Sequence, residues 1–183
     1  MSKVRRLLSA YARQIAVPWR DDAAAMQRVI FCVYNENDEL RLRARIEEFE
    51  LATREAGHGW FVFDLTDTFA GWLSGQRYAD SYFRDPTRLS SLLPKYLVYI
   101  SEQFSATLGE GAADSNAVIA LKGVGSLFGL VKVAEVVDKL APKIKGRLVV
   151  FFPGTFEDNN YRLLDGYDGW NYLALPITGD TEA

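Results

Sequence analysis

The chain of 183 residues has one cysteine, Cys32, and one histidine, His58. A lone cysteine closes no internal disulfide, and its place in the apolar run Val29 to Val33 makes it a small core hydrophobe rather than a reactive thiol. Two such residues cannot assemble a structural zinc site, which draws its four ligands mainly from Cys and His. His58, in the turn Gly57-His58-Gly59, reads as a solvated turn residue rather than half of a Cys/His dyad. Long apolar runs are missing too. No stretch approaches the roughly eighteen uninterrupted apolar residues of a membrane-spanning helix, and no apolar signal core follows Met1, so a cytoplasmic protein without membrane contact is expected. Basic excess is also absent: a formal charge of −3 and a pI near 5.3 argue against a protein that coats nucleic acid electrostatically.

What is present suits one compact core. At 49% hydrophobic residues the chain is long enough to bury most of its apolar surface, and with no repeat or long interior linker a single domain over 1–183 is expected. Residues 1–20 carry Lys3, Arg5, Arg6, Arg13 and Arg20 with no acid, while Val4, Leu7, Leu8, Tyr11 and Ile15 recur at helical spacing. This is a basic amphipathic helix stopped by Pro18. It reads first as an ordinary packed surface helix, and second as a surface for nucleic acid or an acidic partner, or as a transit-like segment. A core over 28–177 follows. Apolar runs at 29–33, 60–63, 117–121 and 148–152 are of strand length, and Tyr172 to Ile177 is a plausible fifth strand. Helical spacing lies between them: from a cap at Asn37 to Gly57, from Leu89 to Leu108 with a break at Pro94, and from Leu127 to Leu140. Apolar strands alternating with helices predict an α/β fold, a three-layer domain with a mainly parallel sheet of about five strands flanked by helices.

Several residue groups qualify as sites on composition alone. Lys122-Gly-Val-Gly-Ser126 lies between a strand and a helix, where Gly123, Gly125 and Ser126 would expose backbone donors to a phosphate. The Walker lysine is missing, however, and Phe128 stands where the dinucleotide fingerprint has its third glycine, so a tight turn is the simpler reading. Asp64 and Asp67 end the second strand, where two acids could hold Mg²⁺; capping of the next helix by Thr66 or Asp67 is simpler. Asp158 to Asp168 only superficially resembles a calcium loop, since Arg162 falls at the fifth position and no glutamate closes the twelfth. Its Asn, Asp and Gly residues read as turns. The long connection Phe152 to Trp170 carries Phe156, Tyr161, Tyr167 and Trp170, and a packed loop presenting at least two of these aromatics to a partner is expected. No catalytic residue, metal ligand or cofactor is assigned.

Three segments resemble the BrxB family, small accessory proteins of the BREX bacterial anti-phage systems. They are Arg28-Val-Ile-Phe-Cys-Val-Tyr-Asn35; Gly123-Val-Gly-Ser-Leu-Phe128; and Phe151-Phe-Pro-Gly154 with Tyr161-Arg-Leu-Leu-Asp165 and Gly169-Trp-Asn-Tyr-Leu-Ala-Leu-Pro-Ile177. The resemblance covers Arg28 to Ile177 and implies a non-enzymatic component of a phage-restricting system. It implies association with other BREX components, most plausibly the PglZ-type protein, and carries over no catalytic residues. The residues by themselves leave an alternative: a nucleotide- or nucleic-acid-binding domain, or a Mg-dependent phosphoester-processing enzyme, built on Asp64, Asp67 and the Gly123 to Ser126 turn.

Overall fold

All four apolar runs become strands of one sheet. The computed structural model describes residues 1–109, 111–170 and 173–181, with the Trp170 side chain outside the description. The elements are, in chain order, α1 (Lys3–Ile15), β1 (Val29–Tyr34), α2 (Glu39–Arg43), α3 (Ile46–Glu55), β2 (Gly59–Asp64), α4 (Thr68–Ser74), α5 (Ala79–Arg84), α6 (Leu93–Thr107), β3 (Ala117–Lys122), α7 (Val133–Leu140), β4 (Arg147–Glu157), β5 (Asn160–Leu163), β6 (Gly166–Trp170) and β7 (Leu175–Ile177). Strands β2, β3, β4, β1 and β7 lie side by side in that order with parallel pairing.

The period-two alternation of a strand sends successive side chains to opposite faces, so each apolar run feeds two cores. Phe31, Val33, Ile119, Leu121, Leu148, Val150 and Phe152 pack against Tyr96, Ile100 and Phe104 of α6 and against Val133, Val137 and Leu140 of α7. Ile30, Cys32, Val118, Ala120, Val149 and Phe151 pack on the other face against Val4, Leu7, Tyr11 and Ile15 of α1 and Phe49 of α3. The basic helix is thus fastened by its apolar stripe, as the 3.6-residue spacing demands. Burial raises the Cys32 thiol well above its ordinary pKa, in keeping with a core residue.

The sheet is mixed and seven-stranded, not mainly parallel with about five strands. The difference lies in the segment read as a loop after Phe152. Strand β4 continues to Glu157, and β5 and β6 add to it antiparallel, Phe156 facing Tyr161 and Glu157 facing Asn160. Asp158 and Asn159 both have positive φ, 50° and 63°. Two consecutive left-handed residues make the two-residue turn that matches strand twist in a tight hairpin, and Asp and Asn tolerate that conformation. Tyr172, expected to open the fifth strand, lies outside the described residues; that strand is β7.

Two helices are shorter than their periodicity suggests. The cap after β1 is Asn35, whose Oδ1 accepts the Asn37 N–H at 2.9 Å, and the helical segment beyond is divided into α2 and α3. After β3, a single turn over Val124–Leu127 precedes Gly129, whose φ of +76° cannot continue a right-handed helix, so α7 starts only at Val133.

A buried polar pair joins α1 to α3. The Thr53 hydroxyl donates to the Phe49 carbonyl at 2.8 Å, so the Tyr11 hydroxyl, 2.6 Å away, is the donor to Thr53. Replacing Tyr11 by Phe keeps the ring and removes only that bond, and should lower unfolding free energy by about 1 kcal/mol in urea melts. An unchanged midpoint would show that the pair contributes nothing net.

Candidate functional site

Parallel strands all deliver their connecting segments to one carboxyl edge, the usual ligand crevice of an open α/β sheet. At the β2 and β3 end of this edge, Asp64, Gly123 and Ser126 come together. Asp64 Oδ1 accepts from the Thr66 amide at 2.9 Å and the Thr66 hydroxyl at 2.6 Å, and Oδ2 lies 3.4 Å from Lys122 Nζ. Partial burial pushes the Asp64 carboxyl up, but the Thr66 donors and the Lys122 ammonium together hold it below its ordinary value. Both carboxylate oxygens are therefore engaged within the fold. Asp67 occupies the cap position of α4 but makes no side-chain capping bond. Its backbone, at φ −109° and ψ 5°, lacks the extended conformation that aims a cap at the first turn.

The Gly123 to Ser126 stretch is a stapled turn. Gly123 has φ +74°, and a Cβ there would stand 2.4 Å from Thr66 Oγ1 and 2.8 Å from Asp64 Oδ1. Ser126 Oγ donates toward the Leu65 carbonyl at 2.9 Å and the Gly123 carbonyl at 2.7 Å, while Gly125 lies against Pro153. Gly123 thus serves close approach between the β2 and β3 ends. Among the described residues no three His, Cys, Asp or Glu side chains cluster to hold a metal ion.

The β5–β6 hairpin stands at the β4 end of the same edge and sorts the four aromatics. Tyr161 is fully buried, with its ring 4.6 Å from Phe31 and 4.5 Å from Phe156. It belongs to the core rather than to a surface. Phe156 is half-buried on the cluster that holds Tyr161. Tyr167 is 53% exposed, with Lys132 Nζ 5.5 Å from its ring centre. The Trp170 side chain lies outside the described residues. Beside Tyr167, Phe128 is 45% exposed, and the two flank a cavity of about 330 Å³ that also borders Lys132 and Glu135.

One carboxylate holds this face together. Asp168, 4% exposed, accepts the Val133 N–H at 2.7 Å and the Ala134 N–H at 2.9 Å. It supplies from β6 the cap that Lys132 cannot give α7. Burial is the largest influence on its carboxyl and holds it above the ordinary value, against the pull of the Ala134 and Val133 donors and Lys132. In the sequence Asp168 reads as one more turn residue, and neither Phe128 nor Lys132 stands out as surface. The one local signal is a helix beginning at Val133 without a capping side chain before it, which calls for an acceptor from elsewhere.

The arrangement is that of an α/β domain whose carboxyl edge is extended by a clamped antiparallel hairpin with an aromatic face. Residues 73–175, more than half of the chain, match the family described as BREX protein BrxB, and the chain belongs to that family. Membership makes it a component of a BREX defence system. Comparison with curated proteins and with solved structures gives no match. Among the described residues no helix is long and apolar enough to cross a membrane.

Removing the clamp orphans two buried donors. Asp168→Ala should destabilise the fold by about 2–3 kcal/mol in denaturant titration. Because the folded carboxyl is held above its unfolded value, the folded state keeps a proton that the unfolded chain has lost in that window. Its contribution to stability therefore falls as pH rises from the ordinary carboxylate range through the folded pKa. The stability of the parent relative to Asp168→Asn should decline over that interval; a pH-independent difference would contradict the assignment.

Proposed function

We propose that this protein is a non-enzymatic accessory component of its BREX system, acting in the cytoplasm by docking onto a larger component, the PglZ-type protein. The observation that carries this reading is the pair of exposed aromatics, Tyr167 and Phe128, on a face held rigid by Asp168. Aromatics are enriched in interface cores, and an ordered face loses little conformational entropy on docking. Lys132 adds a positive group beside Tyr167. The internal engagement of both Asp64 oxygens favours this reading over nucleotide or Mg²⁺ chemistry at the other end of the edge.

The test is a pull-down of the PglZ-type protein with Tyr167→Ala and Phe128→Ala, both on exposed side chains whose loss should leave the melting temperature near the parent's. Each should weaken binding by about 2 kcal/mol, roughly thirtyfold. Phe156→Ala is a poorer probe because it removes packing against Tyr161. If both folded variants capture the partner as well as the parent does, this face is not the interface. Thermal shifts with ATP and Mg²⁺ should be null; a saturable stabilisation lost in Asp64→Ala would instead favour a ligand-binding domain.

A further inference from the structure

The opposite, amino end of the strands carries a second concavity, of about 290 Å³, where the start of β4, β1 and the segment after α1 meet. Arg147, the first residue of β4, lines it and is 9% exposed. Its Nη1 donates to the Gly146 carbonyl at 3.0 Å, and its guanidinium carbon lies 4.6 Å from the Trp19 ring centre. Trp19 stacks flat on His58 at 3.7 Å with 4° between the planes, and His58 Nδ1 is 2.6 Å from Asn116 Oδ1. The guanidinium is thus held against a braced aromatic surface, yet no carboxylate of the described residues lies within ion-pair distance of it.

A charge so placed is unfavourable by itself, because burial without a counter-ion sacrifices hydration. Burial first and Arg28 second act against its charge, with Asp21 in the opposite sense. Arg28, a like charge, brings no relief; its own donors go to the Ala23 and Ile144 carbonyls at 2.9 Å each. Gln14 and Gln27 line the same concavity, the Gln27 Oε1 accepting the Ala24 N–H at 2.9 Å and leaving its amide donors, and at the exposed rim stands Arg20, which is paired with Asp22. Val17 and Ile30 supply apolar wall.

We propose that this pocket binds a carboxylate, received by the unpaired Arg147 guanidinium and flanked by the Gln14 and Gln27 amides. A carboxylate matches the planar fork of a guanidinium in two parallel hydrogen bonds, and one buried cation balances one negative charge. A phosphate dianion carries a second negative charge that Arg147 alone does not balance. The volume lies near the lower bound of about 300 Å³ for ligand sites, which suits a side chain or a small organic acid better than a nucleotide. Two sources share this chemistry, a free dicarboxylic acid and a glutamate side chain of a partner protein.

Calorimetric titration of the full chain at constant ionic strength, with glutarate, a blocked glutamyl tripeptide, its glutaminyl counterpart and inorganic phosphate, tests the proposal. Saturable binding of at least one of the two carboxylate probes is expected, with no heat from the glutaminyl peptide and phosphate weaker by roughly tenfold or more. Arg147→Met, which replaces a buried unpaired charge by an apolar chain, should melt at or above the parent temperature and lose roughly tenfold or more in carboxylate affinity. Gln14→Ala should lose about threefold. Glutarate binding alone identifies a free acid and peptide binding alone a protein side chain, and either supports the pocket. Failure of both carboxylates to bind the parent, phosphate binding as tight as theirs, or unchanged affinity in folded Arg147→Met overturns it. Should Arg147→Met not fold, unchanged affinity in Gln14→Ala overturns it equally.

Discussion

Strand β4 has to satisfy two kinds of hydrogen-bonding partner along one continuous backbone. Its first half is gripped on both sides by parallel neighbours, with Val149 opposite both Ile30 and Ala120. Its second half projects past the ends of those neighbours and would be left with unpaired polar groups. The chain resolves this by folding back at Asp158-Asn159, so that β5 pairs with the projecting part. The changeover is tight: a Cβ on Gly154 would stand 1.9 Å from the Arg162 carbonyl oxygen, and the Pro153 carbonyl accepts the Leu164 N–H at 2.8 Å. The hairpin therefore inherits the rigidity of the core instead of hanging from it.

That inheritance separates the two ends of the sheet chemically. At the carboxyl edge three polar side chains are spent within the fold: Asp64 on Thr66 and Lys122, Ser126 on two carbonyls, and Asp168 on the first amides of α7. Beside the hairpin, Tyr167 and Phe128 are turned outward. At the amino edge the reverse holds. A guanidinium is buried without a carboxylate within reach among the described residues, against Trp19 and close to a second arginine. The two ends offer different kinds of recognition.

The strands were legible because β1, β3 and the first part of β4 are buried on both faces, which writes them as unbroken apolar runs. Helix α1 was legible because only one of its faces is buried. The hairpin carried its own signal in Asp158-Asn159 between Thr155-Phe-Glu157 and Asn160-Tyr-Arg-Leu163, but the aromatics and the length of the segment suggested a loop. Once β5 pairs with β4, register places Tyr161 opposite Phe156 and inside the core, while Tyr167 pairs with exposed Arg162 and a shift after it leaves Asp168 as the extra residue of β6. Four aromatics alike in composition thus acquire different surroundings. Asp67 failed as a cap because its backbone had already turned, at φ −109° and ψ 5°, which its residue type does not reveal.

Local chemistry alone determined where the four apolar strands and the apolar helix faces would lie, where Pro18 would stop the first helix, and that both faces of the sheet would be covered, since these follow from side-chain volume, branching and period. The segments that resemble the BrxB family likewise reside in residue order. Pairings between distant positions were decided only in three dimensions. Asp168 meets amides 35 and 34 residues away, Arg28 reaches a carbonyl 116 residues away, and Arg147 meets Trp19 from the segment after α1. Such contacts depend on strand order and register, which no local property encodes, because the free energy that selects them belongs to the packing of the whole core.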